Sequence, residues 1–213
     1  RKPYSSSIQT DTGYLKCATS LVNRYDSLSS GSSFPEHIDL ITAISTSRQK
    51  YTSPSGKFEL TYEVIGRNSV PLTDNNLSGV PDYVEKIAEY CDRSLKIFVD
   101  SLQFLSPVEN GNYKIDFMNM NTAGFTMRDE SSERRTKIVL NNDLIEFGKR
   151  FGLANDSMGV AKITVAHELK HAIQYAYSRW REKSWFLELD ATWAEEIVFD
   201  EVNNYYNYLN TSQ

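Results

Sequence analysis

The sequence predicts an α+β fold: a small twisted sheet, a long helix backing it, and two further helices that gather the chemistry. Three observations carry this expectation. Residues 57–65, Lys-Phe-Glu-Leu-Thr-Tyr-Glu-Val-Ile, alternate apolar with polar side chains, which is the period of a half-buried strand. Val84, Ile87, Ala88, Cys91, Leu95, Phe98, Val99 and Leu102 form one apolar stripe, which predicts a helix from Asp82 to about Phe104. Val160, Ile163, Ala166, Leu169, Ala172 and Ile173 recur at helical steps around His167-Glu168-Leu169-Lys170-His171.

A chain of 213 residues can bury one good core, or one domain plus a smaller segment. The net charge of −5 and a pI near 5.3 argue against nucleic acid as a partner. No apolar run approaches the roughly eighteen residues of a membrane span. The chain starts at Arg1 rather than at Met, which reads as a processed product. Its Tyr, Ser, Thr and Asn content suits a secreted or cell-surface protein, expected as a monomer. The two cysteines, Cys17 and Cys91, neither require nor forbid a disulfide.

In chain order, residues 1–56 read as an N-terminal helical arm or pro-segment, and 57–213 as the main domain. Arg1–Thr12 is polar. Leu15, Ala18, Leu21, Val22 and Tyr25 suggest a helix over Tyr14–Leu28. Ser29–Ser33 is a break, and Ile38–Ile44 suggests a second short helix. Thr52–Gly56, Thr-Ser-Pro-Ser-Gly, reads as a linker and sets the boundary. Cys17 has two readings: a small buried apolar side chain, or a thiolate that ligates a metal and blocks its water position.

After the first strand comes Asp74-x-Asn76-x-Ser78-Gly79-Val80-x-Asp82-x-x-Glu85, the spacing of an EF-hand-type calcium loop. Asp74, Asn76 and Ser78 offer side-chain oxygens and Val80 a carbonyl. Asp82 reaches the ion directly or through water, and Glu85 gives two oxygens. Gly79 permits the sharp turn. An Asx-rich turn capping the next helix is the metal-free reading of the same residues.

Strands are expected at Tyr113–Phe117, Gly124–Met127 and Thr136–Leu140, and a short helix at Leu144–Leu153. Thr136–Leu140 is the candidate edge strand for binding an extended peptide. Asn155, Asp156 and Ser157 are candidate caps for the helix that follows.

That helix carries His-Glu-x-x-His. Residues four apart share a helix face, so His167 and His171 can offer two imidazole nitrogens to one zinc ion. Glu168 is placed as the general base toward a water on that ion. Gln174 and Tyr177 stand where a metzincin needs Gly and His, which excludes that class. The third ligand is then a downstream carboxylate on the segment from Ser184, its plausible N-cap. Glu182, Glu188, Asp190, Glu195 and Glu196 are the acidic residues beyond His171, and Glu188, Thr192 and Glu195 share one helical face. The oxyanion donor is expected to be a tyrosine, among Tyr175, Tyr177, Tyr205, Tyr206 and Tyr208.

The order KCAT, SPSGKFELTYEVIG, TDNNLSGVPDYVE, HELKHAIQYAY, WFLELDATWAEEIVFDEVNNYYNYL resembles secreted bacterial metallopeptidases of the gluzincin type, whose substrates are unassigned. The similarity spans most of residues 14–209. It implies a zincin-like fold, a zinc site and an extracellular setting. Glu188 resembles the zinc-binding glutamate in the WLNEGFASYVE segment of gluzincin aminopeptidases, and Glu195 its second glutamate, which orients a ligand. Leu189-Asp190 departs from that pattern.

The expected activity is therefore zinc-dependent peptide hydrolysis. Two alternatives stand beside it: a calcium-stabilised extracellular binding module whose zinc is structural or silent, and a latent zymogen.

Overall fold

The computed structural model describes residues 15–20, 48–108, 111–129, 135–152 and 158–204. Its strands are β1 (Leu15–Cys17), β2 (Arg48–Thr52), β3 (Phe58–Glu63), β4 (Tyr113–Met118), β5 (Thr122–Arg128) and β6 (Thr136–Asn141). Its helices are α1 (Asp82–Leu95), α2 (Leu144–Phe151), α3 (Gly159–Ser178) and α4 (Ser184–Phe199). The fold class is α+β, as the alternating and helical periods predict.

All six strands form one mixed sheet in the order β1-β5-β6-β4-β3-β2. β3, β4 and β6 run parallel to one another, while β5 is antiparallel to β6 and β2 to β3. Phe58, Leu60 and Tyr62 of β3 and Tyr113, Ile115 and Phe117 of β4 are buried, as period-two alternation requires. The residues between them carry ion pairs across the other face: Lys50 Nζ to Glu59 Oε1 at 2.8 Å and Lys137 Nζ to Asp116 Oδ2 at 3.3 Å.

On the apolar face α1 packs over β2 and β3, and α3 over β5 and β6, with the two helices side by side. The helix of α1 is continued by Lys96–Ser101 in π geometry, so the regular stripe stops short of Phe104. α4 packs along α3. Enclosed by the sheet, α1, α2 and α4, α3 is buried on every side from Gly159 to Ala161 and from Ile163 to Tyr175. Its polar residues His167, Glu168, Lys170, His171 and Gln174 are therefore inside the protein. Arg179 and Trp180 take positive φ of 56° and 54° and turn the chain into α4. No helix of the described residues is long and apolar enough to cross a membrane.

Several expectations need correction. The helix expected over Tyr14–Leu28 gives way at Leu15–Cys17 to a strand, with helical backbone starting only at Thr19. The reason is the outer edge of β5, which offers backbone groups that a local apolar pattern cannot reveal; Ala18 N donates to Gly124 O at 3.1 Å. Thr136–Leu140 is not an edge strand, since β6 lies between β5 and β4. Ser184 is the first residue of α4 rather than its cap; Lys183 holds that place without a side-chain cap. Thr52–Gly56, expected as a linker, is the turn of the β2–β3 hairpin, in which Thr52 faces Glu59. The described parts of residues 1–56 thus share a sheet with the rest of the chain. The expected caps Asn155–Ser157, the helix at Ile38–Ile44, the Ser29–Ser33 break and the tyrosines 205, 206 and 208 lie outside the described residues.

Candidate metal centre

His167 and His171 stand one turn apart on α3, and their Nε2 atoms approach to 3.2 Å. The turn at Arg179–Lys183 folds α4 back so that Glu188 comes over both: its Oε2 lies 3.3 Å from His167 Nε2 and its Oε1 3.6 Å from His171 Nε2. The Cys17 sulfur at the end of β1 completes the group, with all four donor atoms within 4.8 Å of one another. It is the one cluster of three or more His, Cys, Asp or Glu among the described residues that could hold a metal ion.

Each imidazole is oriented from behind. Glu195 Oε1 lies 2.7 Å from His167 Nδ1, and Gln174 Oε1 2.7 Å from His171 Nδ1. A proton on each Nδ1 leaves both Nε2 lone pairs for the cluster. Gln174 is itself held, its Nε2 donating to Leu187 O at 2.9 Å and Asp190 Oδ2 at 2.8 Å. Lys170 Nζ, 3.3 Å from Asp190 Oδ2 and over the Phe104 ring at 3.7 Å, balances that carboxylate. Trp180 Nε1 donates to the His171 carbonyl at 2.8 Å.

The electrostatics are those of a cluster that attracts cations. Burial works to lower the His171 pKa, but Cys17 and Glu188 outweigh it and push it up to about 10. Burial likewise opposes charge on His167, and Cys17, Glu188 and Glu195 hold it well above the ordinary imidazole value. Burial raises Glu188, yet the two histidines overcome that and hold its carboxyl far below the usual range. Both imidazoles are pushed toward the protonated form because Glu188 and Cys17 face them.

Glu168 is fully buried beside this group. Thr19 Oγ1 donates to its Oε2 at 2.9 Å, and Thr126 Oγ1 lies 2.9 Å from the same oxygen. Thr126 Oγ1 is also 2.8 Å from the Glu168 carbonyl, while its N donates to Thr19 Oγ1 at 2.8 Å. Among the described residues, neither Glu168 Oε1 nor Glu188 Oε1 has a hydrogen-bond partner. Gly124 makes this closeness possible: a Cβ there would meet Thr164 Cγ2 at 3.0 Å and Glu168 Cγ at 3.1 Å.

The structure therefore gathers His167, His171, Glu188 and Cys17, and sets Glu195 behind a ring. The roles of Thr19, Thr126 and Gln174 were not foreseen, and Asp190, one of the acidic residues offered beyond His171, holds Gln174 instead of joining the donor group. Gln174, three residues after His171 on the same face, was the one with a local signal. Of the expected oxyanion donors, Tyr177 turns its hydroxyl to Leu105 N at 3.0 Å, and Tyr175 stacks on Trp180.

The Asp74–Glu85 loop lies apart from this centre. Gly79 has φ +84°, the turn its position requires, and Leu77 φ 57°. Its carboxylates bind the loop's own donors: Asp74 accepts from Ser78 N and Gly79 N, Asp82 from Asn75, and Glu85 from Asn76 Nδ2.

Comparison of the chain with protein-family models, curated proteins and solved structures finds no match.

Proposed function

We propose that His167, His171 and Glu188 hold a catalytic zinc ion, and that the chain is a zinc-dependent peptidase of zincin-like architecture with Glu168 as general base. The observation that carries this reading is spacing. With metal–ligand bonds of 2.0–2.1 Å, two N or O donors of a tetrahedral site lie about 3.3–3.4 Å apart. The two imidazole Nε2 atoms are 3.2 Å apart and Glu188 Oε2 is 3.3 Å from that of His167, while the other Glu188 oxygen, Oε1, is 3.6 Å from that of His171. The donor types agree, since imidazole with carboxylate and thiolate suits zinc, whereas calcium and magnesium prefer all-oxygen sets. The unpartnered Glu188 Oε1 also fits a group that an ion would satisfy.

Held by His167, His171 and Glu188, zinc would supply a Lewis acid and a water of lowered pKa. Glu168 would accept that water's proton and pass it to the leaving amine. Thr126 steadies one Glu168 oxygen, and the other, without a hydrogen bond among the described residues, can receive the proton. Glu195 and Gln174 fix ring orientation and tautomer. The Asp74–Glu85 loop is read as a second, calcium-binding site, supported by its spacing and by the turn at Gly79.

One observation favours a second reading. Cys17 supplies a fourth protein donor, and a closed four-ligand set is the form of structural zinc. The chain would then be a binding module. Zinc content and peptide-library hydrolysis of wild type and Cys17→Ala, each with and without Glu168→Ala, separate the two. A peptidase carries zinc and hydrolyses in at least one Glu168-containing form, and loses roughly 10²–10⁴-fold on Glu168→Ala. Zinc in every form with hydrolysis in none selects the structural reading.

A further inference from the structure

We propose that the outer edge of β5 is the peptide-binding edge of this site and that Leu15–Thr19 occupies it as an internal inhibitor. The inference rests on the peptidase reading above. An extended polypeptide binds such a site by adding a strand to an edge, where main-chain groups give affinity. β6 takes one side of β5, so the other side is the edge nearest the metal centre. β1 already lies there, parallel, with Leu15 opposite Thr122 and Cys17 opposite Gly124.

Three separate contacts make this segment a plug rather than only a sixth strand. Its backbone fills the edge, through Ala18 N on Gly124 O. Its Cys17 sulfur fills the coordination position that a reacting water needs, binding as thiolate after loss of its proton. Its Thr19 hydroxyl donates to the general base. Register joins the three, because Cys17 pairs with Gly124, where a Cβ would meet Glu168 Cγ at 3.1 Å. A strand paired at Gly124 is thus level with the chemistry.

Burial points the same way. His167 is 3 % exposed, and His171 and Glu168 are 0 % exposed. No substrate reaches the base while Thr19, itself 1 % exposed, sits on it. Among the described residues β1, three residues long, pairs with β5 alone, so moving it withdraws the strand from the edge, Cys17 from the donor group and Thr19 from the base together. The ligand that replaces it is an extended polypeptide with a free backbone N–H at the level of Ala18, which disfavours proline there.

The test uses the full chain as wild type, Cys17→Ala and Ala18→Pro, the last removing the donor to Gly124. Each is loaded with cobalt(II) for spectroscopy and with zinc for peptide-library hydrolysis. The expected result is a thiolate-to-cobalt charge-transfer band in wild type that is absent in Cys17→Ala, with cobalt retained. Both variants should then hydrolyse peptide faster than wild type, by about tenfold or more as the site shifts from mostly closed to mostly open. Three results overturn the inference: no thiolate band in wild type cobalt protein, loss of metal on Cys17→Ala, or variant rates equal to an active wild type. Metal-loaded proteins that are all inactive would instead sink the peptidase reading, and the inference with it.

Discussion

Glu195 Oε1 lies 2.7 Å from the Nδ1 of His167, on the side of the ring away from Glu188. One glutamate of α4 faces Nε2 of that ring and the other its Nδ1. Their substitutions should therefore differ in size. In the Cys17→Ala background, where only two donors would remain, Glu188→Ala should abolish stoichiometric zinc, as should His167→Ala and His171→Ala, whereas Glu195→Ala should weaken it by roughly 10–100-fold. Zinc content and competition with a chelator measure both. Full zinc in Glu188→Ala beside zinc-free Glu195→Ala would reverse the assignment.

The support behind His171 has its own signature. Asp190→Asn removes the charge that Lys170 faces and weakens the hold on Gln174. A buried cation without its partner is costly, commonly by about 3–5 kcal/mol. The buried Lys170, which also lies over the Phe104 ring, should incur part of that cost. Thermal melting of the apo and zinc forms should show a loss in both. An unchanged melting temperature would mean that Lys170 finds water.

Gly124→Ala should destabilise by about 1–3 kcal/mol, because its methyl meets Thr164, Glu168 and Leu140 at 3.0–3.2 Å and α3 must shift outward. The same shift should disturb Glu168, so any hydrolysis should fall while zinc content stays. Wild-type stability would show that the helix can retreat freely.

The pH dependence of the metal-free protein follows from its histidines. A folded pKa raised to about 10 at His171 contributes stability that is present below the ordinary imidazole value and is lost as pH rises through about 10. Apo melting temperatures should therefore fall over that window. Zinc displaces those protons, so its stabilising increment should grow across the same range. Parallel curves for apo and zinc protein would refute the proton–metal exchange.

For the Asp74–Glu85 loop, calcium should raise the melting temperature of wild type and leave Asp74→Ala unchanged. Equal melting in calcium and chelator for wild type would leave the loop as a self-satisfied turn, its carboxylates held by Ser78, Gly79, Asn75 and Asn76.

What was legible in the sequence is what short spacing encodes. His167, Glu168 and His171 belong to one helical turn, and strands β3 and β4 show their alternation directly. Glu188 and Glu195 were readable as one face of the next helix. The order of strands was not, because pairing joins distant segments: β6 precedes the motif helix in sequence yet lies inside the sheet. For the same reason Leu15–Cys17 read as helix, and Cys17 stood between a buried thiol and a ligand. Thr19 and Thr126 are ordinary threonines until β1 and β5 bring both hydroxyls to one carboxylate.

Thr19 precedes Glu168 by 149 positions in the chain. At about 5–20 residues per second of synthesis, the β1 segment leaves the ribosome roughly 7–30 s before the helix it covers. The cover is thus older than what it covers. When α3 and α4 come together, the segment that pairs with β5 has already been synthesised and is available to pair.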